Sequence, residues 1–126
     1  MKAAVIFQKG EKPKYVEDFA EPEALHENEA LIAVNASAVK NLDKMRASGK
    51  HYSTQNEEWS AKIVGGDGVG TLADGTRVYA IGISGMVAEK AIVEKDIMVK
   101  LPEGIDDATA AALPNAVMGS ALALRF

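Results

Sequence analysis

Five glycines fall within eleven residues, Gly65-Gly66-Asp67-Gly68-Val69-Gly70-Thr71-Leu72-Ala73-Asp74-Gly75, and Thr76-Arg77-Val78 carries the run straight into an apolar pattern. A run this dense either cradles a phosphate or lets the backbone turn and approach its neighbours closely. A phosphate loop ends in Gly-Lys-Ser/Thr, and that ending is missing. A dinucleotide fingerprint needs G-x-G-x-x-G between a strand and a helix. Counted from Gly66 the sixth position is Thr71, and the residues after it carry a turn signal and β-branched side chains rather than a helix start. The glycines therefore read as turn and close-approach positions between strands, with Asp74-Gly75 as a tight hairpin turn.

That reading needs enough apolar material to build a core. With 126 residues, 48% of them hydrophobic, the chain suits one domain of ordinary size. Its net charge of -4 argues against nucleic acid as a partner, because phosphate binding shows as a basic excess. No cysteine is present, which excludes disulfides and thiolate metal sites and leaves His26 and His51 as the imidazoles. The apolar opening at 3–7 is too short for a secretory signal, and no run approaches a membrane span. A soluble cytoplasmic protein is the expectation. Glu21, Glu23, Glu27 and Glu29 offer carboxylates for a cation, but a charged surface loop is the commoner use of such a stretch.

Strand patterns are expected at 3–7, 15–19, 30–39, 63–64, 69–72, 77–83, 86–93 and 97–101. In the longest, Ile32, Val34, Ala36 and Ala38 form the apolar set that faces the core. A short helix at 41–48 has Asn41 as its cap and Gly49 as its stop, and 51–61 reads as an irregular polar loop. From Asp106 the composition turns helical. Pro114 breaks or kinks that helix, and Asn115 caps a second one over 116–124 with Val117, Met118, Ala121 and Leu122 on its apolar face. Many short strands followed by terminal helices indicate a mainly β, compact barrel-like domain with a helical appendage. A terminal helix that stops while still apolar suggests that the chain should continue.

In order along the chain, Met1-Lys2-Ala3-Ala4-Val5, Glu29-Ala30-Leu31-Ile32-Ala33-Val34-Asn35-Ala36-Ser37-Ala38-Val39, Asn41-Leu42-Asp43 with Ser48-Gly49, Val64 to Gly70, Gly75-Thr76-Arg77-Val78, Leu101-Pro102-Glu103-Gly104 and Ala110-Ala111-Ala112-Leu113-Pro114 resemble the N-terminal domain of the medium-chain dehydrogenase/reductase superfamily, in its zinc-free quinone oxidoreductase branch. The resemblance implies a GroES-like, partly open β-barrel over 1–126, the substrate-side domain, with a Rossmann nucleotide-binding domain beyond Phe126 that this chain lacks. It implies hydride transfer from NADPH or NADH to a quinone or activated alkene, with the cofactor bound mainly by the missing domain, in a protein that is a homodimer at full length. The isolated chain is then expected to be inactive.

Zinc-dependent relatives carry a Cys-His pair where Lys40 and Asn41 stand, and a further zinc-binding His where Gly66 stands, so the resemblance implies no zinc. It places Lys40, Asn41 and Asp43 beside the nicotinamide cleft, and Asn115, Met118 and Ser120 on the helix that passes it. Asn41 is either an amide donor to substrate or cofactor, or a helix cap. Lys40 is either a cation facing a developing enolate or an ordinary exposed lysine. Asp43 is a structural acceptor rather than a general base, and Met118 is expected to pack in the core. Tyr52 or His51 fills the place of an aromatic lining the substrate cleft, against the alternatives of a half-buried loop tyrosine and a surface histidine. Lys40, Lys44, Arg46, Lys50 and His51 form one basic segment in an acidic chain, which either meets an anionic ligand or is a solvated face. A different class of function stays open: a free-standing GroES-like module for binding or assembly without catalysis.

Overall fold

The computed structural model describes residues 1–48 and 60–125. Two antiparallel sheets carry the fold. The smaller has the order β2-β1-β4, from β1 (Ala3–Ile6), β2 (Lys14–Val16) and β4 (Lys62–Ile63). The larger has the order β7-β3-β5-β6-β8, from β3 (Glu29–Ala36), β5 (Asp67–Thr71), β6 (Arg77–Ile81), β7 (Lys90–Glu94) and β8 (Val99–Lys100). A bridge between Gly82 and Val93 brings the end of β6 back to β7, and one between Ala3 and Ala88 ties the two sheets together. The result is a partly open barrel.

Alternation along β3 sets the inside. Ile32 is buried and Val34 and Ala36 are half-buried, while Leu31, Ala33 and Asn35 face out. Ile32, Val78, Ala80, Met86, Ala91 and Val93 fill the barrel. Each fully buried aliphatic side chain there contributes about 1.5–3 kcal/mol. A register shift in β3 between Val34 and Ala36 bends that strand over β5. Gly68 lies under the bend, where a Cβ would come 2.5 Å from the Ala36 carbonyl oxygen. The expected hairpin is present: β5 and β6 join through Leu72–Thr76, and Gly75 turns at φ 89 with its N–H on the Leu72 carbonyl at 2.9 Å.

Several expected elements are shorter or displaced. The second strand is confined to Lys14–Val16. The strand expected at 86–93 starts only at Lys90, with Met86 buried ahead of it. The last strand is divided into a 3-10 turn, Lys95–Ile97, and β8. The short helix α1 (Asn41–Ala47) takes its cap from Lys40, whose extended backbone precedes it, so Asn41 is the first helical residue and not the cap. One helix, α2 (Asp107–Arg125), replaces the two expected around Pro114. Proline removes one i→i−4 bond, here to Ala110, but the helix continues through it, and Asn115 is an exposed helical residue rather than a cap.

α2 is anchored at its start. Ala110 and Ala111 are buried against Val69 and Tyr79. Arg77 donates to the Asp107 carboxylate at 2.6 and 3.0 Å and to the Ile105 carbonyl at 2.7 Å. Beyond this base the helix is bare: Leu113, Val117, Met118, Leu122 and Leu124 are exposed, which overturns the core position expected for Met118. Asp106 caps α2 by accepting from the Thr109 N–H at 2.7 Å and its hydroxyl at 2.9 Å. The Thr109 backbone bond leads in holding the Asp106 carboxyl below its ordinary value. A depressed carboxyl contributes stability above its unfolded value and loses it as pH falls. Asp106→Ala is therefore expected to lower the melting temperature at neutral pH, with the difference from wild type shrinking below about pH 4 in thermal melts.

Candidate functional site

The glycine run delivers Asp67 to the start of β5, and the end of β3 delivers Lys40 to the start of α1. Both are drawn inward. The Asp67 side chain is 7% exposed, that of Lys40 is 17% and that of Asp43 is 5%. The Lys40 ammonium donates to Asp67 Oδ1, lies 3.2 Å from Asp43 Oδ2, and donates to the Ala38 carbonyl at 2.9 Å. An ammonium has three N–H donors, and three oxygens surround this one. Lys40 is thus no ordinary exposed lysine.

The carboxylates are equally engaged. Asp43, at the third helical position, accepts the Lys40 backbone N–H on Oδ2 at 2.9 Å, which is one arm of a capping box. Its Oδ1 accepts the Gly66 N–H at 3.0 Å and so fastens α1 to the glycine run. The structural-acceptor role expected for Asp43 describes these contacts. Asp67 Oδ2 accepts the Tyr79 hydroxyl, from the diagonal neighbour across β5 and β6. The Ser37 hydroxyl donates to the Asp67 carbonyl at 2.9 Å.

Burial alone would lower the Lys40 pKa. The hydrogen bond and charge of Asp67, with Asp43 behind it, outweigh that and hold the ammonium above the ordinary lysine value. Burial first, and then the bond to Asp67, push the Tyr79 phenol up as well. At neutral pH the cluster holds a lysinium and a neutral phenol. Asp67 and Tyr79 were not singled out as site residues by sequence. The signal for Asp67 was its place as the one acidic residue among the glycines of 65–70, while Tyr79 looks like any strand aromatic.

The remaining candidates are scattered. Asn41 is exposed, on the side of α1 away from Asp43. Asn115, Met118 and Ser120 are exposed on α2, with the Ser120 hydroxyl bonded to its own helix at Ala116, 3.3 Å away. No hydrogen bond among the described residues joins them to the Lys40 cluster. Tyr52 and His51 lie outside the described residues. A cleft of about 760 Å³ opens on the Asp43 side of α1, walled by Ile6, Phe19, Pro22, Ile63, Val64 and Ile83, and among the described candidates Asp43 and Arg46 of the basic segment line it. Among the described residues, no group of three or more His, Cys, Asp or Glu side chains is placed to hold a metal ion. Nor is any helix of these residues long and apolar enough to cross a membrane.

This arrangement of strands and helices matches solved structures. A quinone oxidoreductase from Thermus thermophilus, solved also with NADPH, superposes with a TM-score of 0.86 at 32% identity, over 99% of this chain and 40% of that one. The structural relatives of this chain are quinone oxidoreductases of the medium-chain dehydrogenase/reductase superfamily. The quinone oxidoreductase from Coxiella burnetii matches with a TM-score of 0.82 at 24% identity, over 99% of this chain and 44% of that one. The quinone oxidoreductase from Pseudomonas syringae pv. Tomato matches with a TM-score of 0.73 at 26% identity, over 90% and 37%. No family model and no curated protein matches the chain. The chain spans about 40% of the length of the quinone oxidoreductases it matches. The mainly β, partly open barrel of this chain is the fold expected from the sequence motifs.

Proposed function

We propose that the chain is the substrate-side domain of a zinc-independent NAD(P)H-dependent oxidoreductase that transfers hydride to a quinone or an activated alkene. The observation that carries this reading is the superposition of 99% of the chain on the Thermus thermophilus quinone oxidoreductase at 32% identity. NADPH, when bound, supplies the hydride, and a second domain beyond this chain holds most of it. The exposed amides of Asn41 and Asn115 and the hydroxyl of Ser120 suit the polar edge of a nicotinamide and its carboxamide, and Met118 suits its apolar face. Asn41 is the donor we assign to the oxyanion that develops as hydride arrives.

Lys40 has another part. With its three donors spent on Asp67, Asp43 and the Ala38 carbonyl, it offers substrate no hydrogen bond, and the two carboxylates more than offset its charge. It is a positioning residue that holds α1, and hence Asn41, against β5. The same geometry supports independence from zinc: every carboxylate oxygen of Asp43 and Asp67 already accepts from Lys40, the Gly66 N–H or the Tyr79 hydroxyl, and the ammonium fills the place between the two carboxylates. Tyr52 remains our candidate for a substrate-stacking or proton-donating group.

The test is NADPH oxidation with a panel of quinones and enones. The full polypeptide is expected to turn over, with no change after dialysis against a chelator, and residues 1–126 alone are expected to be inactive. Turnover by the isolated segment would overturn the division of labour. Activity lost to the chelator and restored by zinc would overturn the metal-free reading.

A further inference from the structure

We propose that the cleft between α1, β4 and the Gly82–Gly85 turn binds a small apolar carboxylate, and that Arg46 holds its carboxyl group. The cleft lies on the Asp43 face of α1, whereas Asn41 lies on the other side of that helix and Asn115, Met118 and Ser120 stand on α2. The cleft's volume, about 760 Å³, lies within the range of small-molecule sites, roughly 300–1,000 Å³. Its apolar walls suit an aromatic or branched aliphatic body.

The charges lining it decide what that body carries. Two carboxylates reach the wall, and both are already answered. Asp43 is held by Lys40 and the Gly66 N–H, and Glu21 by Lys90 at 2.7 Å. Two cations, Arg46 and Lys62, also line the cleft, and the Arg46 guanidinium makes no hydrogen bond or ion pair among the described residues. It lies one turn beyond Asp43 on the same face of α1, so the Asp43 bond to Gly66 fixes which way that face points. Arg46 Nη1 is 3.6 Å from the point where a Gly66 Cβ would sit, and the missing side chain leaves the guanidinium open to the cleft. A planar fork of N–H donors beside apolar walls fits one carboxylate bidentately. Among the described residues of the basic segment, Lys40 is spent on the buried cluster and Arg46 faces the cavity, in a chain whose net charge is -4.

The experiment titrates 2-naphthoate and its uncharged analogue 2-naphthamide into the 126-residue chain, followed by amide NMR. Naphthoate is expected to shift the Gly65, Gly66, Ile83 and Gly85 amides and to bind about tenfold or more tightly than naphthamide, the scale of a hydrogen bond to a charged group. Arg46→Gln should remove that advantage and leave naphthamide binding as it was, and Arg46→Lys should restore part of it. Ile83→Glu, on the opposite wall, should weaken naphthoate selectively. Arg46 is exposed, so the spectrum away from the cleft reports directly that the variants are folded. Equal affinity for the two probes, naphthoate binding unaffected by Arg46→Gln, no binding of naphthoate, or shifts centred outside the cleft would each overturn the proposal. None of these outcomes depends on NADPH oxidation, so failure here and failure of the oxidoreductase reading are distinguishable.

Discussion

Asp67→Ala is expected to destabilise the domain by about 3–5 kcal/mol, the range for removing one partner of a buried ion pair. The loss is large because two donors are stranded together. Lys40 keeps only Asp43 and the Ala38 carbonyl, and the buried Tyr79 hydroxyl loses its acceptor. Asp67→Asn keeps an acceptor for one of the two and should fall between Asp67→Ala and wild type. The pH profile supplies a second signature. The Lys40 and Tyr79 pKa values are both raised in the folded state, so their contribution is fully present below the unfolded values, about pH 10. It is lost as pH climbs from there towards the folded values. Urea unfolding of wild type should weaken along this alkaline limb, and Asp67→Ala should flatten it. A variant within about 1 kcal/mol of wild type at pH 7 would show that the cluster is solvated and contributes no more than a surface pair.

The second large effect is backbone-driven. Gly85 turns at φ 91, and a Cβ there would stand 2.4 Å from the Ile63 carbonyl oxygen and 2.8 Å from the Ile63 Cβ. Gly85→Ala therefore combines a left-handed conformation, about 1–2 kcal/mol, with overpacking of about 1–3 kcal/mol. The summed expectation is roughly 2–5 kcal/mol by chemical denaturation. Gly75 also has a positive φ, at 89, but nothing lies within 4 Å of its Cβ position, so Gly75→Ala should suffer only the conformational part. Equal losses at the two positions would sink the steric argument.

How much of this was legible depends on which forces are local. Ile32, Val34 and Ala36 of the inward set and the Asp74-Gly75 turn are dictated by residues adjacent in sequence and appear where expected, while β3 ends at Ala36 and leaves Ala38 outside the strand. Pro114 misled because propensity ends a helix there, yet the Ala-rich run on either side and the anchorage of Ala110 and Ala111 carry it through. Asn41 misled because asparagine is the better cap by type, whereas the cap position went to Lys40, whose backbone N–H meets Asp43. Lys40 itself could be read as an exposed cation only because its partner Asp67 lies 27 residues away, and no local pattern announces such a pair. The motif order placed the fold, and the tertiary pairing assigned the charges.

α2 has a mechanical consequence. It is gripped at one end by Ala110, Ala111 and the Arg77–Asp107 pair, and the stretch from there to Arg125 is an arm of about 21 Å at the usual helical rise. Pro114, which leaves a carbonyl without its helical partner, sits at the root of that arm, where a bend takes least work. Tilting the arm by about 10° would carry its tip some 4 Å, by lever geometry on that rise. A bend at Pro114, next to the arginine clasp, would therefore displace the far end of α2 more than any other part of the helix.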